Sequence, residues 1–140
     1  MYKLIFSVLF TSIVAVNSSE ARIPQDNVLV DNIKKAMASG NAKEISAYFD
    51  VSLKLAIKEK ERVYSKNQAE QIIKIFIEQN SPIKFEIKHC GEPKGGSSFL
   101  YIIGTLSTQK GPYRVSIRLQ KQGDTCLIHS LIIEEDNAWQ

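Results

Sequence analysis

The chain predicts an α+β fold in which three N-terminal helices pack on an antiparallel sheet of four main strands plus a short extra strand. Three observations carry this. The last third, from Pro82 to Glu135, breaks into four apolar runs separated by polar turns. Upstream, apolar residues recur at helical spacing behind good N-cap residues. Between Asp50 and Val63 the period shortens to strict alternation.

At the N-terminus, Met1-Tyr2-Lys3 is a short basic start, Leu4 to Val16 is an apolar run, and Asn17-Ser18-Ser19-Glu20-Ala21 is polar. Ser19 and Ala21 are small and suit cleavage before Arg22, so residues 1–21 read as a signal peptide, with an uncleaved anchor as the alternative. The apolar run is shorter than the roughly 20 residues that a membrane span takes, so no transmembrane segment is expected after its removal. The expected location is periplasmic or extracellular. Residues 22–26 then form a linker, 27–135 a single domain and 136–140 a tail that holds Trp139.

Asp26 or Asn27 caps a first helix, with Leu29, Ile33, Ala36 and Met37 on one face and Gly40 as its stop. Asn41 caps a second short helix, with Glu44 three residues on and Ile45, Tyr48 and Phe49 turned inward. Leu53, Leu55 and Ile57 alternate with Ser52, Lys54, Ala56 and Lys58, which predicts the short extra strand or arm. Ser65, with Gln68 as its capping partner, opens a third helix that runs to about Gln79. Ala69, Ile72, Ile73, Phe76 and Ile77 form its apolar stripe.

The four main strands are Ile83–Cys90, Ser98–Thr108, Tyr113–Lys121 and Thr125–Glu134. In the first, Ile83, Phe85 and Ile87 share a face with His89. In the third, Tyr113, Val115, Ile117 and Leu119 oppose Arg114, Ser116, Arg118 and Gln120. The second and fourth strands are apolar on both sides, with Ile128 and Ile132 set against Leu127, Leu131 and Ile133 in the fourth. One sheet face takes the helices, and the other keeps an apolar patch that points to a homodimer through the sheet. In an up-and-down order Cys90 and Cys126 stand about 14 Å apart, beyond the ~7 Å reach of a disulfide. Two buried thiols and no disulfide are therefore expected.

A formal charge of +3 over 140 residues, with basic residues dispersed, excludes the balance of a nucleic-acid-binding protein. The run Lys58-Glu59-Lys60-Glu61-Arg62 mixes both signs, as a solvated turn does. Gly91 to Ser98 has a Gly-x4-Gly skeleton, but Ser97 stands where a phosphate loop needs Lys and a strand follows instead of a helix. Two His and two Cys lack paired metal-ligand spacing, so neither a metal nor another cofactor is expected.

The stretch Val63 to Phe76, the strand Ile103-Gly104-Thr105-Leu106 and Tyr113-Arg114-Val115 resemble a family of small exported domains of unknown function with the nuclear-transport-factor-2-like, cystatin-like cone fold. The resemblance spans roughly Asn27 to Glu135. It implies a curved sheet wrapped on three helices, often a pocket at the cone's open end, and frequent dimers. Enzymes of that fold class place a carboxylate or His among pocket-facing strand residues. Here no Asp or Glu joins the inward set, and Asp50 and Glu86 fall outside it, so an aspartate-based proton shuttle lacks its base. His89 is the candidate polar or acid/base group, with Tyr64 or Tyr101 as hydrogen-bonding partner and Phe76 and Phe85 as pocket wall. Its ordinary alternative is a strand-end His bonded to a turn or to water. The expected function is a non-catalytic binding or protein-interaction module. The alternative is a small-molecule carrier or enzyme that holds a small apolar ligand in the cone pocket, unless Phe49, Phe76, Phe85 and Phe99 fill it.

Overall fold

The computed structural model describes residues 25–91 and 98–137; the signal-like segment 1–21, most of the Gly91–Gly96 turn and Trp139 lie outside the described residues. The elements run α1 (Gln25–Ser39), α2 (Ala42–Ser46), β1 (Phe49–Ile57), β2 (Arg62–Ser65), α3 (Lys66–Asn80), β3 (Pro82–Gly91), β4 (Phe99–Thr108), β5 (Gly111–Gln122) and β6 (Thr125–Glu135).

Two of the three helix starts act where the local chemistry puts them; α1 instead begins at Gln25, so Asp26 and Asn27, expected to cap it, lie within the helix. The Asn41 side chain accepts from the backbone N–H groups of Lys43 and Glu44 and starts α2. Ser65 and Gln68 form a reciprocal capping box at the head of α3. At its other end Ser81 adopts the left-handed region, with φ 51°, and its N–H donates to the Ile77 carbonyl. Helix α2 ends at Ser46, so Phe49 opens β1 and is not a helical residue.

The sheet differs from the expected four-stranded meander. It has six strands in the order β2-β1-β6-β5-β4-β3. The alternating arm is two strands, a β1–β2 hairpin, and β1 pairs parallel with β6. The sheet is therefore mixed, and α3 enters between β2 and β3 in sequence. A parallel neighbour leaves no local signal, because the turn that sets a hairpin register is absent.

Two bulges reset which side chains point where. In β3, Ile87 pairs with Gly104 and His89 with Ile103, so Lys88 is extra and His89 moves to the face opposite Phe85. In β6, Ser130 pairs with Arg118 and Ile128 with Leu119, so His129 is extra. Ile128, Leu131 and Ile133 are consequently buried together, while Leu127 and Ile132 are only partly covered. Ile83, expected to face inward, is 62% exposed on the edge strand.

The core lies between the helices and one face of the sheet. Ile33, Ala36 and Met37 of α1, Ile45 of α2, and Ala69, Ile73 and Phe76 of α3 meet Phe85, Ile102, Leu106, Val115, Ile117 and Leu131 of the sheet. Neither cysteine is in a disulfide, as strands β4 and β5 stand between them. The expectation of buried thiols fails: Cys90 is exposed on the edge strand and Cys126 is half-buried.

Candidate functional site

The helix-covered side of the sheet is occupied by side chains. Phe49, Phe76 and Phe85 are buried there, and the Phe76 ring meets the Tyr113 ring edge-on at 5.1 Å. The polar groups on this side satisfy one another. The Tyr113 hydroxyl donates to Asn80 Oδ1 at 2.8 Å, and Asn80 Nδ2 donates to the Phe76 carbonyl at 2.8 Å. Lys58 closes the set from the surface, with Nζ 3.0 Å from Glu135 Oε1 and 5.1 Å from the centre of the Tyr113 ring. Hydrogen bonds to Tyr113 and then to Glu135 hold the Lys58 pKa above its ordinary value. With the folded value raised, this favourable contact is present at neutral pH and is lost only as pH climbs past the ordinary lysine range.

The five sequence candidates do not line one pocket. Phe76 and Phe85 are core residues, and Tyr64 is half-buried on β2 against that core. His89 is exposed on β3, and Tyr101 is 37% exposed on β4. His89 and Tyr101 lie on the open face, which the helices do not cover. Phe99, offered as a fourth plug for the cone, is there too, with the Arg118 guanidinium 3.7 Å above its ring.

The strand register lays the open face out in rows. One row reads Val63, Lys54, Ser130, Arg118 and Tyr101 from β2 to β4. The next reads Ala56, Ile132, Ser116, Ile103 and His89 from β1 to β3, and the third reads Glu134, Arg114, Thr105 and Glu86 from β6 to β3. The middle of the face is thus apolar or small, and both signs of charge surround it. Two depressions open on it and share Ile103. One, of about 450 Å³, is lined by Lys54, Glu61, Tyr101, Arg118 and Ile132 among others. The other, of about 460 Å³, is lined by Glu86, Lys88, His89, Arg114 and Asp136 among others.

A second polar contact was not legible from sequence. The β6 bulge aims His129 at Asp50, with Nδ1 buried 3.9 Å from Asp50 Oδ2 and without a hydrogen-bond partner among the described residues. Asp50 Oδ1 accepts from the Val51 N–H at 2.7 Å, which holds the carboxylate in place. At 3.9 Å the pair is outside hydrogen-bond range. Among the described residues no three His, Cys, Asp or Glu side chains are placed to hold a metal.

A six-stranded mixed sheet wrapped on three helices, with its core between them, is the nuclear-transport-factor-2-like fold. The chain is similar to a nuclear-transport-factor-2-like protein of unknown function from Cytophaga hutchinsonii, with 12% identity, a TM-score of 0.56 and coverage of 85% of this chain and 96% of that one. More narrowly, residues 30–134 match the family model of the domain of unknown function DUF4783, and the chain belongs to that family. A family member from Bacteroides ovatus superposes with a TM-score of 0.70 at 26% identity, over 76% of this chain and 94% of that one. One from Bacteroides uniformis gives 0.70 at 24% identity, over 76% and 96%. No curated protein matches the chain. Among the described residues no helix is long and apolar enough to cross a membrane.

Proposed function

We propose that this domain is a non-catalytic protein-interaction module whose working surface is the open face of the sheet. One observation carries the reading. Tyr101, Ile103 and Ile132 form a partly exposed apolar stripe on the side without helices, between Arg114, Arg118, Lys54 and Glu86. An apolar centre inside a charged rim is the anatomy of a protein interface. The side facing the helices holds buried phenylalanines, and its hydroxyl and amide bond to each other, which leaves a ligand little to contact there.

In sedimentation velocity at about tens of micromolar protein, a range where interfaces of this kind associate, the chain is expected to run larger than a monomer. Ile103→Asp is expected to abolish that association with an unchanged far-ultraviolet spectrum. Association that survives Ile103→Asp would place the interface elsewhere.

The Met1 to Ala21 pattern supports export as part of the same reading. Intact mass of the protein recovered from its native cell is expected to correspond to a chain starting at Arg22. A mass that retains residues 1–21 would sink cleavage at that point.

A further inference from the structure

We propose that the depression of about 450 Å³ beside Tyr101 and Arg118 is a binding site for a small organic acid, a free molecule that carries one carboxylate on a flat apolar body. This goes beyond the interaction reading and shares only the open face with it.

Strand register builds the site. Ser130 of β6 has Lys54 of β1 on one side and Arg118 of β5 on the other. At ~4.8 Å per strand the two cations stand about 10 Å apart across that serine, which is 8% exposed. Each side chain is longer than half the gap, so one anion above Ser130 is within reach of both. In the next row Ser116 lies between Ile103 and Ile132. Two serines among longer neighbours lower the floor, and Tyr101, Ile103 and Ile132 make it apolar. A small-molecule site has this make-up, apolar walls with a few placed polar groups, and its volume falls in the same range, roughly 300–1,000 Å³.

Charge narrows the ligand to a monoanion. Among the described residues neither Lys54 nor Arg118 is in an ion pair. The Arg118 guanidinium lies 3.7 Å over the Phe99 ring. Stacking holds its plane and leaves its edge N–H groups to donate, a fork that matches the two oxygens of a carboxylate. Glu61, on the turn between β1 and β2, also lines the depression. Two cations and one acid sum to a single positive charge, which one carboxylate neutralises and a phosphate dianion overshoots. Glu61 sets the pose as well. It repels the ligand's carboxylate toward the Arg118 side of Ser130, with the apolar body over Ile103 and Ile132.

The probe is naphthoate, with naphthamide as the control for charge and acetate as the control for the apolar body. Binding to the full chain is read by naphthalene fluorescence at a dilution where the chain sediments as a monomer, so the outcome does not depend on self-association. Naphthoate is expected to saturate one site with a Kd of about 1 mM or tighter, which is what about 13 non-hydrogen atoms of ordinary efficiency give. Naphthamide and acetate are each expected to bind about tenfold or more weakly. Lys54, Glu61 and Arg118 are exposed, so R118Q, K54Q and E61Q are expected to fold, with circular dichroism as the control. R118Q should weaken naphthoate about tenfold and K54Q by less, while E61Q should tighten it. A merely structural role at these positions does not produce opposite signs. Backbone amide NMR shifts on titration are expected to centre on Ser116, Ser130 and Ile132.

Naphthamide that binds as tightly as naphthoate, or an R118Q chain of unchanged affinity, overturns the carboxylate site. Shifts centred on Phe76 and Tyr113 place the ligand among the helices and overturn it too. A chain that self-associates and does not bind naphthoate loses this site alone. Naphthoate binding with the expected variant order, in a chain that stays monomeric at every concentration, upholds the site and removes only the self-association.

Discussion

Gly104→Ala is expected to destabilise the domain by about 3 kcal/mol, the upper range for overpacking a well-packed core. Gly104 sits in β4 between Ile87 of β3 and Val115 of β5. A Cβ there would lie 2.6 Å from the backbone oxygen of Glu86 and 2.8 Å from the Phe85 ring. The ring can rotate or shift, but the oxygen belongs to the β3–β4 ladder, where Glu86 pairs with Thr105. Relief therefore means moving β3 away from β4 and losing the packing of Phe85, which is 1% exposed. Urea denaturation checks this through the midpoint at unchanged slope. Adding Phe85→Leu to Gly104→Ala should recover only part of the loss, since the clash with the Glu86 oxygen stays. Full recovery would mean the ring alone sets the requirement for glycine, and a loss under about 1 kcal/mol would mean β3 is free to shift.

Asn80→Ala is the second substitution with a large expected effect, at about 2 kcal/mol or more from the buried hydrogen bonds alone. Asn80 is 5% exposed and Tyr113 is 4% exposed. The amide oxygen accepts the Tyr113 proton, and the amide nitrogen bonds the Phe76 carbonyl one turn back in α3. Lys58 still bonds the Tyr113 oxygen in the variant, but that bond uses a lone pair and gives the hydroxyl proton no acceptor. Tyr113→Phe should lose a comparable amount by leaving Asn80 Oδ1 bare. The double variant should cost less than the sum of the two, because it removes both ends of one bond. Thermal unfolding of the four proteins measures this. Strict additivity would mean that the two side chains do not interact and that the tie between α3 and β5 contributes nothing.

These two positions mark how far residue pattern alone reaches. Gly104 sits inside an apolar run, where a glycine reads only as a weak point in a strand, and nothing nearby in sequence announces the Phe85 ring over it. Asn80, expected to lie just past the end of the third helix, is the last residue of α3, whose C-cap is Ser81. The Asn80 bond to Tyr113 spans 33 residues and depends on the last residue of α3 meeting the start of β5.

Residue pattern was enough for the features set by neighbours a few positions away. The Ser65–Gln68 capping box, the Asn41 cap and the strands of the last third follow from side-chain reach and from the two periodicities of the backbone. The alternation of wet and dry residues along β5 follows in the same way. Long-range pairing set the rest: β1 enters beside β6, Lys88 and His129 are bulged, and His89 and Tyr101 face away from Phe76 and Phe85. A parallel pairing is closed by distant residues, and one extra residue in a strand reverses the facing of every side chain beyond it. The open face exists because those long-range pairings complete a six-stranded sheet that the helices cover on one side only.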